Sequence, residues 1–190
     1  MVQNAEGIGG ATGQYPAWPQ SIQRRYRLTQ RPAETTDNDF LLTLFGESRP
    51  DLALIPEPVR ASLIRMQFDS QLSQYRASAP DAVDWILELD ADPGPEPVGR
   101  CYLRQGAEEH RLLDLAIRAE WRGRGIGSAV LEQLRAGAAR AGVPLRLSVW
   151  QGNEGAIRLY RRLGFVEEFV EDGAEGGYRR MQWTPPEENR

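Results

Sequence analysis

Residues 122–127 combine glycine and arginine in an order that suits phosphate binding. The segment reads RGRGIG and directly precedes a stretch with helical periodicity. Glycines at alternate positions can adopt conformations closed to other residues, and they keep side chains away from a ligand. Backbone N–H groups can then converge on phosphate oxygens, helped by the positive end of the helix and by two guanidinium groups. The predicted phosphate ligands are Arg122, Gly123, Arg124, Gly125, Ile126, Gly127 and Ser128.

The same loop is also compatible with a flexible turn that carries solvated arginines. Its glycines do not follow the GxGxxG spacing of a dinucleotide site, and the chain contains no lysine for a Walker-type phosphate loop. A nucleotide-binding protein of either type is therefore a poor alternative. A measured preference for ATP or NAD would be needed to support it.

A second group of candidate residues follows farther along the chain. Asn153 comes directly after the apolar segment 145–150, a position that suits a helix N-cap. Ala156 and Leu159 share one face of the helix that would follow, and Tyr160 flanks that face. Tyr160 is compatible with a half-buried core aromatic or with a hydroxyl placed for proton transfer. Asn153 is compatible with a plain cap or with a ligand contact.

Composition limits the classes of function. The chain has 190 residues, of which 41% are hydrophobic and 26% charged, as in an ordinary single globular domain. The one cysteine, Cys101, excludes an internal disulfide and a cysteine-based zinc site, and we predict no metal. The one histidine, His110, stands in a polar segment typical of a hairpin turn, so we expect it to be solvated. Because every basic residue is arginine, a Schiff base and a lysine general base are excluded.

Charge and hydropathy point to small-molecule partners. The net charge of −4 argues against broad nucleic-acid binding, which needs a basic face. No apolar run approaches the roughly 18 residues of a membrane span. The first residues also lack the pattern of a signal peptide. We therefore expect a cytoplasmic protein without a membrane or nucleic-acid partner, and a homodimer is compatible with these features.

Hydrophobic periodicity predicts the elements that must position the two groups of residues. The expected class is α/β, with a mixed central sheet of six or seven strands in the order β-α-α-β-β-β-α-β-α-β-β. The predicted strands span residues 24–32, 82–89, 98–104, 111–118, 145–150, 165–170 and 178–184, and the predicted helices 36–45, 58–75, 127–141 and 153–163. We expect a flexible tail over residues 1–20, a single domain over 21–185 and a C-terminal tail over 186–190.

Together the two motifs resemble the GNAT superfamily of acyl-CoA-dependent N-acetyltransferases. The resemblance rests on a strand, then Arg-x-x-Gly-x-Gly opening a helix, then a strand, then Asn-x-x-Ala-x-x-Leu-Tyr-x-x-x-Gly-Phe. These motifs cover residues 112–165, and the surrounding pattern fits the family over about residues 24–184. Residues 33–80 carry no signature of a particular acceptor.

The resemblance implies a donor site for acetyl-CoA. Strands 111–118 and 145–150 would splay apart and hold the pantetheine arm between them, and the pyrophosphate would lie on residues 122–128. Backbone groups of Leu115, Ala116 and Ile117 would pair with the pantetheine amides, and one N–H group would polarise the thioester carbonyl. Asn153 and Ala156 would contact the arm, while Tyr160 would protonate the departing thiolate.

The acceptor half is less specified. Asp114 interrupts an apolar strand, which is compatible with a general base or water-ordering residue and equally with a carboxylate paired to arginine or backbone. Glu120 reads as a turn residue, and Glu167, Glu168 and Glu171 as an amine-binding group or a solvated charge run. Candidate wall residues of the acceptor site are Phe40, Phe68, Gln71, Tyr75, Trp150 and Phe169. The expected reaction is acetyl transfer to a primary amine of a small molecule or peptide, and the alternative is a non-catalytic acyl-CoA sensor of the same fold.

Overall fold

A computed structural model of the chain describes residues 27–168 and 177–186. Its strands are β1 (Leu28–Pro32), β2 (Val83–Leu89), β3 (Glu96–Gln105), β4 (His110–Ile117), β5 (Leu145–Trp150), β6 (Val166–Glu167) and β7 (Tyr178–Trp183). Its helices are α1 (Asn38–Glu47), α2 (Val59–Ser78), α3 (Ile126–Ala141) and α4 (Glu154–Arg162), with single 3-10 turns at Thr35–Asp37, Pro50–Leu52 and Ala119–Trp121. The predicted α/β class and element order are confirmed.

All seven strands form one sheet in the order β1-β2-β3-β4-β5-β7-β6. The first four strands form an antiparallel meander. β4 and β5 are parallel and are joined by the crossover helix α3. β7 then pairs antiparallel with β5, and β6 with β7. The one parallel pair therefore lies in the middle of a sheet that is otherwise antiparallel.

Helices cover the two faces of this sheet unequally. α3 and α4 lie against one face over a large apolar core that includes Leu112, Leu131 and Leu147. α1 and α2 pack on the other face over a smaller cluster of Leu41, Phe68 and Ile86. This division follows from strand alternation, since Leu145, Leu147 and Val149 point into the large core while their neighbours point away.

Helix α3 is bounded by glycine at both ends. Gly125 precedes it with φ of 86°, and Gly142 follows it with φ of 69°, a left-handed conformation that costs glycine little. Gly142 donates its N–H to carbonyls of the last turn, which closes the helix. The apolar residues between them, such as Val130, Leu131 and Leu134, are buried. The helix therefore begins at the end of the glycine loop, as the sequence predicted.

The expectation of a solvated His110 was wrong. His110 is the first residue of β4 and is buried, with its N–H donating to the Pro144 carbonyl at 2.9 Å. It pairs with Leu145 across the parallel junction, so the turn before it is shorter than expected. Burial lowers the pKa of His110.

Several predictions fall on residues outside the described ranges. These are the tail over 1–20, the start of the first strand, Phe169, Glu171 and the last residues of the chain. The proposed division into a domain and two tails stays a prediction. Among the helices of residues 27–168, none has the length and apolar character needed to cross a membrane.

Candidate active site

The central gap of the site lies between β4 and β5. The two strands pair only at His110 with Leu145, Arg111 with Arg146, and Leu112 with Leu147. β4 continues to Ile117 and β5 to Trp150 without pairing with each other. The strands thus part toward their carboxyl ends, which leaves backbone groups of both along an open seam.

Two residues of β4 direct their backbone groups into this seam. The Ala116 carbonyl lies against Gly99 of β3, and the Arg118 N–H donates to the Val98 carbonyl at 2.9 Å. Because backbone groups alternate between the two edges of a strand, Leu115 and Ile117 face the seam. Ala116, which the sequence grouped with them, faces β3 instead.

A bulge in β4 sets the direction of Asp114. The register with β3 shifts between Tyr102 and Leu103, so that Tyr102 pairs with Asp114 and Leu103 with Leu112. The unpaired residue between them allows Leu112 and Leu115 to face the same core although they are three positions apart. Asp114 consequently points to the α1–α2 face of the sheet.

The glycine loop presents amides that have no hydrogen-bond partner among residues 27–168 and 177–186. No described hydrogen bond uses the N–H groups of Gly123, Gly125, Ile126, Gly127 or Ser128, whereas Ala129 already donates to the Gly125 carbonyl. Gly123 has φ of 73° and open space where a side chain would stand. Four of these five amides lie at or next to the first turn of α3, where the helix dipole is positive. The loop therefore has the form of an anion cradle.

The two loop arginines have contacts of their own. Arg122 donates from Nε to the Ile117 carbonyl at 2.8 Å, and its Nη2 lies 3.6 Å from the Glu47 carboxylate at the end of α1. Glu47 also accepts the Ala119 N–H at 2.6 Å, so it holds the start of the loop. Arg124 lies over the Trp121 ring at 4.6 Å. The side chain of Arg122 thus braces the loop, and its role with phosphate stays a prediction.

Helix α4 brings the second motif to the same seam. The Asn153 side chain accepts the Ala156 N–H at 3.1 Å and caps the helix. Gly127 of α3 faces Leu159, since a Cβ at Gly127 would be 3.9 Å from a Leu159 methyl carbon. Arg162 reaches Ser128 at 3.4 Å. The capping function of Asn153 is therefore established, and its ligand contact stays a prediction.

Tyr160 lies in the large core beside the seam. Its ring packs against Phe165 with the centroids 5.6 Å apart, and the residue is nearly buried. Desolvation raises the pKa of the Tyr160 hydroxyl, and the nearby Asp114 carboxylate and Cys101 raise it further. The hydroxyl consequently stays protonated at neutral pH and can donate a proton or hydrogen bond.

Asp114 shares one buried guanidinium with a second carboxylate. Arg100 donates to both oxygens of Asp84 at 2.7 Å and to Asp114 at 3.3 Å. The Arg100 guanidinium is also 5.0 Å from the Tyr102 ring centroid. Desolvation raises the pKa of Asp114, and Arg100 only partly opposes this because Asp84 repels the second charge. Asp114 is therefore paired with arginine, as one interpretation expected, and its role as a general base stays a prediction.

A small polar recess adjoins Asp114. Its volume is about 40 Å³, which is enough for a few water molecules. Gln71 lines it, and the buried Gln71 Oε1 atom has no hydrogen-bond partner in the part of the chain that the structure describes. The lining residues are Leu41, Leu44, Phe45, Ser48, Gln71, Arg100, Asp114 and Ala116. Asp114 keeps 26% of its side chain exposed here, so solvent can reach the carboxylate.

Some of the residues predicted to line the acceptor site pack in the core, and others remain candidates for the site. Phe68 is buried beneath Arg100 at 5.9 Å, and Phe40 packs against the same cluster. Tyr75 makes an edge-on contact with Tyr102 at 5.5 Å, and desolvation followed by the Asp114 charge raises its pKa. Trp150 is half-exposed at the end of β5. Gln71, Tyr75 and Trp150 therefore remain candidates, while Phe40 and Phe68 are packing residues.

Sequence reasoning missed Arg100, Asp84, Glu47 and Tyr178 as parts of this region. Arg100 interrupts the apolar strand β3 in the same way that Asp114 interrupts β4, and the match of opposite charges on adjacent strands was the available signal. Of the predicted acidic residues, Glu120 pairs with Arg118 at 3.0 Å in the turn, and Glu167 with Arg179 at 3.1 Å. Within residues 27–168 and 177–186, no group of three His, Cys, Asp or Glu residues could hold a metal ion.

Comparison with known proteins agrees with this architecture. A domain from Methanocaldococcus jannaschii superposes with a TM-score of 0.60 at 15% identity, over 84% of this chain and 99% of that one. The PaiA N-acetyltransferase from Thermoplasma acidophilum, solved in complex with coenzyme A, gives 0.58 at 21% identity, over 83% and 98%. An acetyltransferase from Thermus thermophilus gives 0.58 at 27% identity, over 83% and 96%.

Sequence comparison identifies the family. An uncharacterized N-acetyltransferase of Methanocaldococcus jannaschii is 38% identical over 72 residues, which are 37% of this chain and 30% of that relative. The matched segment thus spans less than a third of that protein's length. The sequence model described as the acetyltransferase (GNAT) family matches residues 49–165, which contain the glycine loop, the seam and Tyr160. The chain belongs to the GNAT acetyltransferase family.

Proposed function

We propose that the protein is an N-acetyltransferase that transfers an acetyl group from acetyl-CoA to a primary amine by direct attack in a ternary complex. The observation that carries the proposal is the parting of β4 and β5 beside a loop with free amides. An extended arm with hydrogen-bonding amides can lie in such a seam, and a pyrophosphate can lie on such a loop.

The donor substrate fits the residues that surround the seam. Backbone groups of Leu115 and Ile117 would pair with the pantetheine amides, as a further strand would. Arg122 already donates to the Ile117 carbonyl, so pantetheine would share that oxygen with the Arg122 guanidinium. The amides of residues 123–128 would hold the pyrophosphate. The coenzyme A complex of the Thermoplasma relative supports this assignment.

The reaction needs one proton removed and one proton supplied. The neutral amine nitrogen attacks the thioester carbonyl carbon, forming a C–N bond and a tetrahedral oxyanion, which a seam-facing N–H stabilises. Collapse breaks the C–S bond and releases the thiolate. The nitrogen loses one proton and the thiolate gains one, so the overall reaction is balanced without a covalent enzyme intermediate.

Tyr160 and Asp114 are placed on opposite faces of the sheet at this seam. Tyr160 belongs to the core under α3 and α4, whereas Asp114 faces α1 and α2. Tyr160 would donate its proton toward the leaving sulfur, since its raised pKa keeps it protonated. Asp114, whose pKa is raised by desolvation, would accept the amine proton directly or through water in the adjoining recess.

A two-stage assay tests the proposal. Acetyl-CoA should raise the melting temperature of the purified chain, because a ligand that binds only the folded state stabilises it. A panel of primary amines should then be screened for release of free CoA thiol. Release that requires an added amine supports the enzyme. Stabilisation without turnover across the panel points to a non-catalytic acyl-CoA sensor, and the absence of both contradicts the proposed donor site.

We further propose a single catalytic domain acting in the cytoplasm on small-molecule or peptide amines. The net charge of −4 favours a cationic acceptor.

A further inference from the structure

Two aromatic residues stand side by side at the open end of the seam. Trp150 and Tyr178 are cross-strand partners at the ends of β5 and β7. Their exposed fractions are 53% and 49%, unusually high for two adjacent large rings. Residues directly opposite each other on adjacent strands project to the same face of a sheet, where their rings can contact a third ring. We call Trp150 and Tyr178 the aromatic platform.

The platform lies on the same face of the sheet as Asp114. In β5, Leu145, Leu147 and Val149 point into the large core, so Trp150 points to the opposite face. In β7, Met181 and Trp183 point into that core, so Tyr178 also points away from it. Asp114 occupies this second face on β4. The platform and the carboxylate therefore border the same side of the seam.

Two glycines fix the orientation of the indole. A Cβ at Gly152 would lie 2.2 Å from the Trp150 Cη2 atom, so the six-membered ring rests directly on the Gly152 backbone. A Cβ at Gly177, whose φ is 83°, would lie 3.8 Å from the indole Nε1 atom. A ring that is held this way loses little conformational entropy when it binds a ligand.

One contact joins the platform to the donor motif. Asn153, the cap of α4, donates its N–H to the Trp150 carbonyl at 2.9 Å. On the face that the platform shares with Asp114, Tyr102 is the cross-strand partner of Asp114, and Tyr75 contacts the Tyr102 ring edge-on at 5.5 Å. The platform therefore adjoins the donor motif and shares its face of the sheet with Asp114 and Tyr75.

The cluster of Asp84, Asp114 and Arg100 favours an ammonium group beside it. Asp84 and Asp114 contribute two negative charges against the single positive charge of Arg100, and Asp84 takes the two short hydrogen bonds. One carboxylate charge is therefore left largely uncompensated at Asp114. Aromatic ring faces also attract cations.

We propose that the acceptor is an aralkyl primary amine whose ring lies on Trp150 and Tyr178 and whose nitrogen approaches the thioester beside Asp114. This inference rests on the proposed N-acetyltransferase function and names its acceptor class. Trp150 and Tyr178 are then specificity-determining residues. The geometry gives the ring and the amine separate sites on the same face of the sheet.

The test compares primary amines that share an ethylamine chain and differ in the group at its far end. The kcat/KM of the wild-type chain is measured with phenethylamine, cyclohexylethylamine and n-butylamine at saturating acetyl-CoA. We expect phenethylamine to exceed n-butylamine by about 10-fold or more, with cyclohexylethylamine between them, because ring stacking adds to apolar burial. Trp150→Ala should remove most of this preference through a higher KM for phenethylamine, with the KM for acetyl-CoA unchanged.

Two further variants separate the role of the platform from a general loss of structure. Gly152→Ala keeps the indole but forces it to move, so it should reduce the preference as Trp150→Ala does. Met66→Ala removes a side chain with similar exposure on the outer surface of α2 and should leave the preference unchanged.

The outcomes distinguish failure of the aralkylamine inference from failure of the proposed N-acetyltransferase function. Equal kcat/KM for phenethylamine and n-butylamine in the wild type, or an equal loss for both amines in Trp150→Ala, overturns the inference while leaving the proposed function intact. The absence of CoA release with every amine, together with no stabilisation by acetyl-CoA, overturns the proposed function and this inference with it.

Discussion

Replacing Asp114 with asparagine should slow the enzyme and stabilise the fold at the same time. In the structure Arg100 makes its two 2.7 Å hydrogen bonds to Asp84 and a longer one, 3.3 Å, to Asp114. Asp114→Asn keeps the size and hydrogen-bonding capacity of the side chain, and it leaves the Arg100–Asp84 pair complete. The substitution therefore removes one poorly compensated charge and little else.

The effect on stability follows from the pKa of Asp114. This pKa is raised in the folded state, so ionised Asp114 costs folding free energy above that pKa, and the cost disappears below the ordinary value of 3.8. A tenfold difference in proton affinity between the folded and unfolded states corresponds to about 1.4 kcal/mol. In a chain of this size, about 1 kcal/mol changes the melting temperature by roughly 2–4 °C. We expect Asp114→Asn to melt a few degrees higher at pH 7, with the difference shrinking as the pH falls toward 4.

The effect on rate follows from the loss of the proton acceptor. Removal of a general base costs roughly 10²–10⁴-fold in kcat. The assay is CoA release with a good acceptor amine, with thermal melts of the same preparations between pH 4 and 8. The wild-type rate should fall on the acid side as Asp114 becomes protonated, and Asp114→Asn should lose that part of the pH dependence.

A surface aspartate supplies the matched control. Asp81 pairs with Arg104 at 2.9 Å, but more than half of the Asp81 side chain is exposed. Asp81→Asn should leave kcat unchanged and alter stability by less than about 1 kcal/mol. A lower melting temperature for Asp114→Asn would show that its charge stabilises the fold. An unchanged kcat with an amine whose chemical step limits turnover would remove Asp114 from the reaction.

Two further predictions concern Tyr160 and His110. Tyr160→Phe should lower kcat by about 10²-fold with little change in acetyl-CoA affinity, since only the proton donor is lost. Steady-state kinetics gives kcat, and calorimetry gives the Kd for acetyl-CoA. A normal kcat would exclude Tyr160 as the proton donor. Because burial lowers the pKa of His110, wild-type stability should decline as the pH falls below about 6.5. His110→Gln should show a smaller decline in melts from pH 7.5 to 5, and parallel curves for the two proteins would show that His110 does not cause the decline.

Local patterns in the sequence were sufficient for most of the fold. Strand β5 was predicted from end to end as residues 145–150, because apolar and polar positions alternate and a glycine-proline turn precedes it. Helix α3 was predicted within one residue at its start, since glycine bounds it at both ends. These features depend on neighbours along the chain, which a single sequence displays.

Features that depend on distant pairing were not visible. His110 is buried because β4 pairs with β5, and the intervening helix separates these strands in the sequence. The bulge before Asp114 depends on the register with β3. No periodicity within one strand reveals either contact, so the environment of His110 was mistaken and the partners of Asp114 were left open.

In the site, too, local features were predicted and long-range contacts were not. The left-handed glycines of the loop and the cap at Asn153 follow from local chemistry and were predicted. The contact between Arg122 and Glu47 joins residues 75 positions apart. No sequence pattern near either residue predicts this contact. The aromatic platform likewise needs the β5–β7 pairing to bring Trp150 and Tyr178 together.

Acetyl-CoA binding by the loop over residues 122–128 underlies every step of the proposed reaction, and calorimetric titration of two glycine variants tests it most directly. Gly125 and Gly142 bound the same helix with similar left-handed φ values, 86° and 69°. Valine at either position should cost a similar amount of backbone strain, about 1–2 kcal/mol. Gly125 stands within the loop at the start of the helix, whereas Gly142 stands at the opposite end of the helix.

We predict that the wild type and Gly142→Val bind acetyl-CoA with similar affinity, whereas Gly125→Val shows no measurable binding although it melts as a folded protein. Retained affinity in Gly125→Val, or no binding by the wild type, would contradict the assignment of this loop as the acetyl-CoA site.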